Sequence, residues 1–280
     1  MFTRKDNSYT YNDDMLEAIS KDEASPLNRI ANLIKDGNKV LDVGAGNGLL
    51  GRYIKYTKKN IVIDGIEPNQ FAANIAKTEY RKFYVGYVQD FLAEMLEEKY
   101  DYIVFADVIE HIQDPIVSLG SFFSQLPEGT KIVISTPNIA FGSIRLSLMN
   151  GNFQYVDSGI LEKTHLRFYT KSTLLALVGE LNLKVETFSY LMRNFNRTEI
   201  DLSQIKINPF LLNLVSKDEL SHVYQFLIVL STGGILKSNK EFDEILCYGK
   251  KIKYPILDYY LKPLISKNAT LKNFVKKFFK

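Results

Sequence analysis

Apolar runs recur through the first half of the chain, at 39–44, 61–66, 83–87, 100–106 and 130–135. Each is apolar or β-branched and too short for a buried helix, which predicts a strand. Helix-like stretches separate them. Strands without a polar face, alternating with helices, predict a mainly parallel sheet covered on both sides, an α/β doubly wound fold. Ahead of the first strand, Ser25 and Pro26 read as an N-cap and first helical position, and that helix is expected to end near Asp36-Gly37. Residues 1–25 are polar and are expected to form a flexible arm or lid. After the fifth strand the rhythm breaks: 138–170 holds no clear strand and is rich in Gly, Asn, Ser and aromatic residues. An insertion of that length in a compact domain is more often functional than idle. A helix over 171–181 and a strand over 184–190 resume the pattern, 193–220 reads as irregular, and 224–231 predicts a last strand. Joined by a connection and not by a crossover helix, the last pair is expected to be antiparallel. The organisation expected is therefore an arm and helix (1–37), a ligand-binding domain (38–235) with its insertion, and an extension (236–280).

Composition narrows the class. At 280 residues, 46% apolar and 24% charged, the chain can bury a full core. The net charge of +3 is uneven. Residues 250–280 carry nine lysines and one acid, Asp258, a local +8 that leaves −5 for residues 1–249. No nucleic-acid partner is expected. In the tail, Leu271, Phe274, Val275, Phe278 and Phe279 fall on one helical stripe with lysines around it. Residues 269–280 thus predict a short amphipathic helix that lies on an anionic membrane surface or packs on protein. A single cysteine, Cys247, excludes an intrachain disulfide framework and fits a reducing compartment. Met-Phe-Thr-Arg-Lys-Asp-Asn shows no apolar signal region, so the cytoplasm, or the inner face of its membrane, is expected.

The first strand runs into Asp42-Val43-Gly44-Ala45-Gly46-Asn47-Gly48. A glycine turn between strand and helix is the nucleotide-binding corner of a doubly wound sheet. The dinucleotide fingerprint asks for a third glycine where this chain has Leu49. An acid, Asp42, stands two residues before the first glycine, which suits a ligand with positive charge better than a pyrophosphate. This stretch resembles motif I of the class I S-adenosylmethionine-dependent methyltransferases. The resemblance implies a seven-stranded Rossmann-like sheet and a cofactor site of Asp42, Gly44, Ala45 and Gly46. Glu67-Pro68 at the end of the second strand would take the ribose hydroxyls, with mid-strand Asp64 as the alternative. Gln89, Asp90 and Phe91 after the third strand would meet the adenine, unless Asp90 is only an N-cap. Ala106 and Asp107, and Tyr11 from the arm, complete the expected set.

After the fourth strand comes Asp107-Val108-Ile109-Glu110-His111-Ile112-Gln113-Asp114-Pro115. On a helical turn Asp107, Glu110 and His111 would share one face. The segment is similar to motif IV of the branch that includes ubiquinone-pathway O-methyltransferases and bacterial surface-glycan methyltransferases. Lys163-Thr164-His165-Leu166-Arg167-Phe168-Tyr169-Thr170 and Ser135-Thr136-Pro137-Asn138 also resemble its glycan-modifying members. A sulfonium methyl is already electrophilic, so an acceptor oxygen must be aligned and its proton removed, and histidine is the commonest group for that step. His165 is the expected base, with His111 second and Glu110 beside it, while His222 reads as structural. Alternatively Asp107, Glu110, His111 and His165 hold a divalent metal, Mn²⁺ or Mg²⁺ being the ions to test. Mixed oxygen and nitrogen ligands suit Mn²⁺, Fe²⁺ or Zn²⁺ better than Ca²⁺. The acceptor implied by the resemblance is a small polar group, a sugar or sugar-phosphate of a surface polysaccharide or its precursor. A nitrogen or phenolic acceptor, a non-catalytic binding protein and a dinucleotide oxidoreductase stay as alternatives.

Overall fold

The computed structural model describes residues 13–194, 198–202, 207–232 and 245–249. Residues 1–12 of the N-terminal arm, Tyr11 among them, and the amphipathic stretch 269–280 lie outside the described residues.

The elements run α1 (Asp13–Lys21), α2 (Pro26–Leu33), β1 (Lys39–Val43), α3 (Leu49–Thr57), β2 (Val62–Ile66), α4 (Gln70–Ala76), β3 (Phe83–Tyr84), α5 (Leu92–Glu98), β4 (Tyr102–Ala106), α6 (Pro115–Ser124), β5 (Lys131–Pro137), α7 (Gly142–Met149), α8 (Lys171–Glu180), β6 (Leu183–Met192), α9 (Pro209–Lys217), β7 (Val223–Thr232) and β8 (Ile245–Gly249). The strands form one sheet in the order β3-β2-β1-β4-β5-β7-β6-β8. β1 pairs parallel with β2 and β4, as do β2 with β3 and β4 with β5, whereas β7 runs antiparallel to β5. The direction of winding reverses between neighbours β1 and β4, and ligands of such sheets bind outside the carboxyl ends at that point. Val40, Leu41, Ile103, Val104, Phe105, Ile132, Val133 and Ile134 are inaccessible along the central strands, which explains why they read as unbroken apolar runs.

Three expectations need correction. The sheet has eight strands and not seven, because β8 adds to β6 at the edge. The arm expected over 1–25 contains α1, with Asp13 and Asp14 in its first turn and Lys21 in its last, as the helix dipole favours. Leu16 anchors this helix in the cluster formed by Ile30, Ile34, Tyr53 and Ile54. The stretch expected to be irregular over 193–220 contains α9, opened by the side chain of Asn208 as N-cap and by Pro209.

The chain divides into two compact units, Met1–Asn138 with Thr164–Leu191 and Gln225–Gly249, and Ile139–Lys163 with Met192–Tyr224 and Lys250–Lys280. Every site residue discussed below that is described belongs to the first. In the second, α7 packs on α9, Arg145 pairs with Asp218, and His222 bonds the Ser216 carbonyl oxygen through Nε2 at 2.8 Å, a structural role. No described helix is long and apolar enough to cross a membrane.

Candidate active site

The loop after β1 is fixed to the end of β2. Gly44 and Ala45 N–H both donate to the Ile66 carbonyl at 2.9 Å. Gly44 has φ +73°, and a Cβ there would stand 2.6 Å from Val108 Cγ2, so only glycine fits. Gly46, at φ +55°, is different: nothing lies within 4 Å of where its Cβ would be. Its N–H donates to Glu67 Oε2 at 2.9 Å, and Asn69 N–H donates to Oε1 at 2.8 Å. Glu67 is therefore a brace between two loops as well as an acid at the end of β2. A carboxylate offers about four acceptor positions, so two remain for a ligand. Asp64 is not available in that way. It is inaccessible within β2, paired with Arg81 and accepting from Tyr100 Oη at 2.8 Å and Lys82 N at 3.0 Å.

Asp42 lies beneath the loop, 1% exposed, and accepts a 2.6 Å hydrogen bond from Tyr80 Oη. Burial lifts its pKa to about 7, the Tyr80 bond pulls it down, and the charge of Glu67 raises it again. After β3, Asp90 Oδ2 accepts from Tyr87 N at 2.8 Å; Tyr87 is the N-cap of the 3-10 turn Val88–Phe91 and Asp90 its third residue, so Asp90 is not itself the N-cap. Gln89 and Pro68 are exposed, Phe91 is half-buried with its ring 5.0 Å from that of Tyr84, and Ala106 is half-buried at the end of β4.

Beyond β4 the expected arrangement is corrected. Asp107, Glu110 and His111 do not share one α-helical face, because only Ile109–His111 forms a single 3-10 turn and Asp107 precedes it at φ +56°. The Asp107 carboxylate is held by Ser135 Oγ at 3.2 Å and by the side-chain amide of Gln225. Glu110, His111 and His165 come together without it, their ligand atoms within 4.8 Å of one another. Glu110 is 1% exposed and accepts from Thr136 Oγ1 at 3.1 Å. His111 Nδ1 lies 3.2 Å from the Thr164 carbonyl oxygen, which can only accept, so in the neutral imidazole Nδ1 is the nitrogen with the proton and Nε2 the one with the lone pair. The two imidazole rings meet edge to face at 4.8 Å.

His165 is 54 residues from His111 in sequence, and backbone pairing closes that gap. Leu166 and Arg167 N–H donate to the Glu110 carbonyl at 2.8 and 3.0 Å, the Arg167 guanidinium caps the Gln113 carbonyl, and Asn138 bridges to Tyr169. Tyr169 is buried against this turn, which pushes its hydroxyl up to about 12. Sequence reasoning missed Tyr80 and Gln225, which carry no spacing signal. Ser135 and Thr136 lie in the stretch that ends β5, and their contacts to Asp107 and Glu110 carry no spacing signal either.

A family model described as a methyltransferase domain matches residues 15–187. The chain is similar to the ubiquinone biosynthesis O-methyltransferase of Pseudomonas fluorescens, 27% identical over 111 residues, 36% of this chain and 45% of that one. It also resembles the protein of that name from Vibrio vulnificus, 24% identical over 155 residues, 52% of this chain and 64% of that one. The chain thus spans about half the length of the curated relatives it matches. Among solved structures, a SAM dependent methyltransferase from Archaeoglobus fulgidus aligns with a TM-score of 0.52 at 17% identity, over 78% of this chain and 94% of that one. The plantazolicin methyltransferase BamL, solved with SAH, aligns with 0.50 at 16% identity, over 78% and 85%. At these identities the likeness speaks for the fold.

Proposed function

This chain belongs to the methyltransferase-domain family, and we propose that it moves a methyl group from S-adenosylmethionine to a hydroxyl oxygen of a small polar acceptor in the cytoplasm. The residues present fit that cofactor. The loop is open beside Gly46, and Glu67 keeps acceptor capacity for the ribose at the switch point of the sheet. When bound, S-adenosylmethionine supplies an electrophilic methyl group. The protein's part is then to align the acceptor oxygen and take its proton. Alignment can be worth about 7–11 kcal/mol in the best intramolecular cases, and a placed general base about 10²–10⁴-fold in rate.

The observation that carries the reading is the convergence of Glu110, His111 and His165 after β4. His165 is the general base in this proposal and His111 Nε2 is the second acceptor for the proton. As to the acceptor, the likeness of 135–138 and 163–170 to glycan-modifying enzymes supports a sugar or sugar-phosphate hydroxyl. The likeness to O-methyltransferases of ubiquinone biosynthesis supports a phenolic hydroxyl, as in quinone synthesis, as the second reading. Transfer of a labelled methyl group to sugar nucleotides, lipid-linked saccharides and catechols separates them. Labelling of catechols alone would overturn the glycan reading. Binding of NAD in place of S-adenosylmethionine by titration calorimetry would overturn the function itself.

The same three side chains suit a divalent cation. The Nδ1–H of His111 is already given to a backbone carbonyl, as is usual for a metal-bound imidazole. Glu110, His111 and His165 would hold the ion, Asp107 would not, and the ion would lower the proton affinity of a bound oxygen. Elemental analysis, with activity after chelation and after return of Mn²⁺ or Mg²⁺, decides between ligand and base for His165. Full activity in chelator leaves it as the base.

A further inference from the structure

Tyr80 sits in a slot that the chain keeps clear with two glycines. A Cβ on Gly51 of α3 would stand 2.6 Å from Tyr80 Cζ and 2.8 Å from its Oη, and one on Gly65 of β2 would stand 3.0 Å from Tyr80 Cδ1. Glycine is unfavourable inside helices and strands; Gly51 is explained by the Tyr80 ring it admits, and Gly65, where a Cβ would stand 2.7 Å from Phe83 Cε2 as well, by the Phe83 and Tyr80 rings together. Phe83 closes the slot edge-on at 5.1 Å, leaving Tyr80 7% exposed. The ring so wedged delivers its hydroxyl to Asp42 Oδ2 at 2.6 Å, beneath the loop whose outward side is open at Gly46.

We infer that Tyr80 is a positioning residue for cofactor binding, whose hydroxyl holds Asp42 in the charged state that the cationic methionine end of S-adenosylmethionine requires. The inference rests on the proposed function and deepens it. Tyr80, just ahead of β3, and Glu67, at the end of β2, are the titratable groups that act on Asp42, and they act in opposite directions. A hydrogen bond donated to a carboxylate favours the ion, whereas burial and a neighbouring carboxylate favour the acid. Asp42 is balanced near neutrality, so a single donor has leverage over its charge. Tyr80 touches neither the transferred methyl group nor the acceptor in this scheme; it acts through Asp42.

The test is titration calorimetry with S-adenosylmethionine from pH 5.5 to 8.5 on the full chain, using wild type, Tyr80→Phe, Asp42→Asn and the double variant. Wild-type affinity should rise with pH around a midpoint near that of Asp42. In Tyr80→Phe, which keeps the ring in its slot, the midpoint should move up by about one unit. That corresponds to roughly fivefold weaker binding at pH 7, and the loss should vanish at pH 8.5 or above. Asp42→Asn should bind weakly with a flat profile, and adding Tyr80→Phe to it should change nothing further. An unchanged midpoint in Tyr80→Phe, or an equal loss in both backgrounds, overturns the inference and leaves the proposed function standing. Wild type that binds no S-adenosylmethionine at any of these pH values overturns both.

Discussion

Replacing Asp42 by asparagine should make the unliganded protein more stable at alkaline pH relative to wild type, although it removes a charge from the binding site. Asparagine has the shape of aspartate, and its carbonyl oxygen can still accept from Tyr80 Oη, so the packing around a residue 1% exposed is kept. What disappears is the titration. The Asp42 pKa is raised from 3.8 to about 7, chiefly by burial. In the unfolded chain the proton leaves near the lower value, so between the two the folded state binds more protons and stability falls as pH rises. The gap of roughly three units corresponds to about 4 kcal/mol above both values, at 1.36 kcal/mol per unit. Between pH 5 and pH 8 the wild type should lose roughly 2.5 kcal/mol on this account, and Asp42→Asn should not lose it. Urea unfolding of both proteins at the two pH values measures the quantity, with the difference between them cancelling the other titrating groups. A wild-type-minus-variant difference that is the same at pH 5 and pH 8 would refute the reasoning. It would mean that Asp42 titrates in the folded protein as it does in the unfolded chain.

Glu67→Gln should cost about 1–3 kcal/mol of stability and at least tenfold in S-adenosylmethionine affinity. An amide in that position offers an oxygen to only one of Gly46 N–H and Asn69 N–H, so one part-buried donor loses its partner; thermal melts and calorimetry check both numbers. Gly44→Ala should lower the melting temperature sharply, and Val108→Ala in the same chain should restore only part of it. The second change removes the 2.6 Å contact, and the strain of φ +73° remains. His165→Ala should reduce methyl transfer by about 10²–10⁴-fold with S-adenosylmethionine affinity unchanged, as the lost group acts on the acceptor side. An affinity that falls in step with the rate would place His165 at the cofactor instead. Vesicles with anionic lipid should retain the full chain better than residues 1–268, because each lysine near such a surface adds about 1 kcal/mol. Equal sedimentation of both would end the membrane role of the tail.

The sequence by itself determined the α/β class, because strands buried on both faces must be apolar at every position and thus stand out as unbroken runs. It also located the glycine loop, Glu67 in preference to Asp64, and the Glu110-His111 turn, since each follows directly from a strand end. Where short-range signals were weak it failed. β8 was missed because its apolar run, Ile245 to Tyr248, is only four residues long and lies in the stretch expected as an extension, and α1 because its one inaccessible anchor, Leu16, is identified by packing against α2 and not by pattern. Asp107 shows the limit most clearly. Spacing placed it on one face with Glu110 and His111, but spacing is a helical argument, and the backbone at Asp107 is left-handed and hands its carboxylate to Ser135 and Gln225. Only the tertiary structure could bring His165 to Glu110, by pairing two segments through backbone amides, or seat Tyr80 over Asp42. Contacts of that kind join residues 38 to 118 positions apart, and no local period in a chain records them.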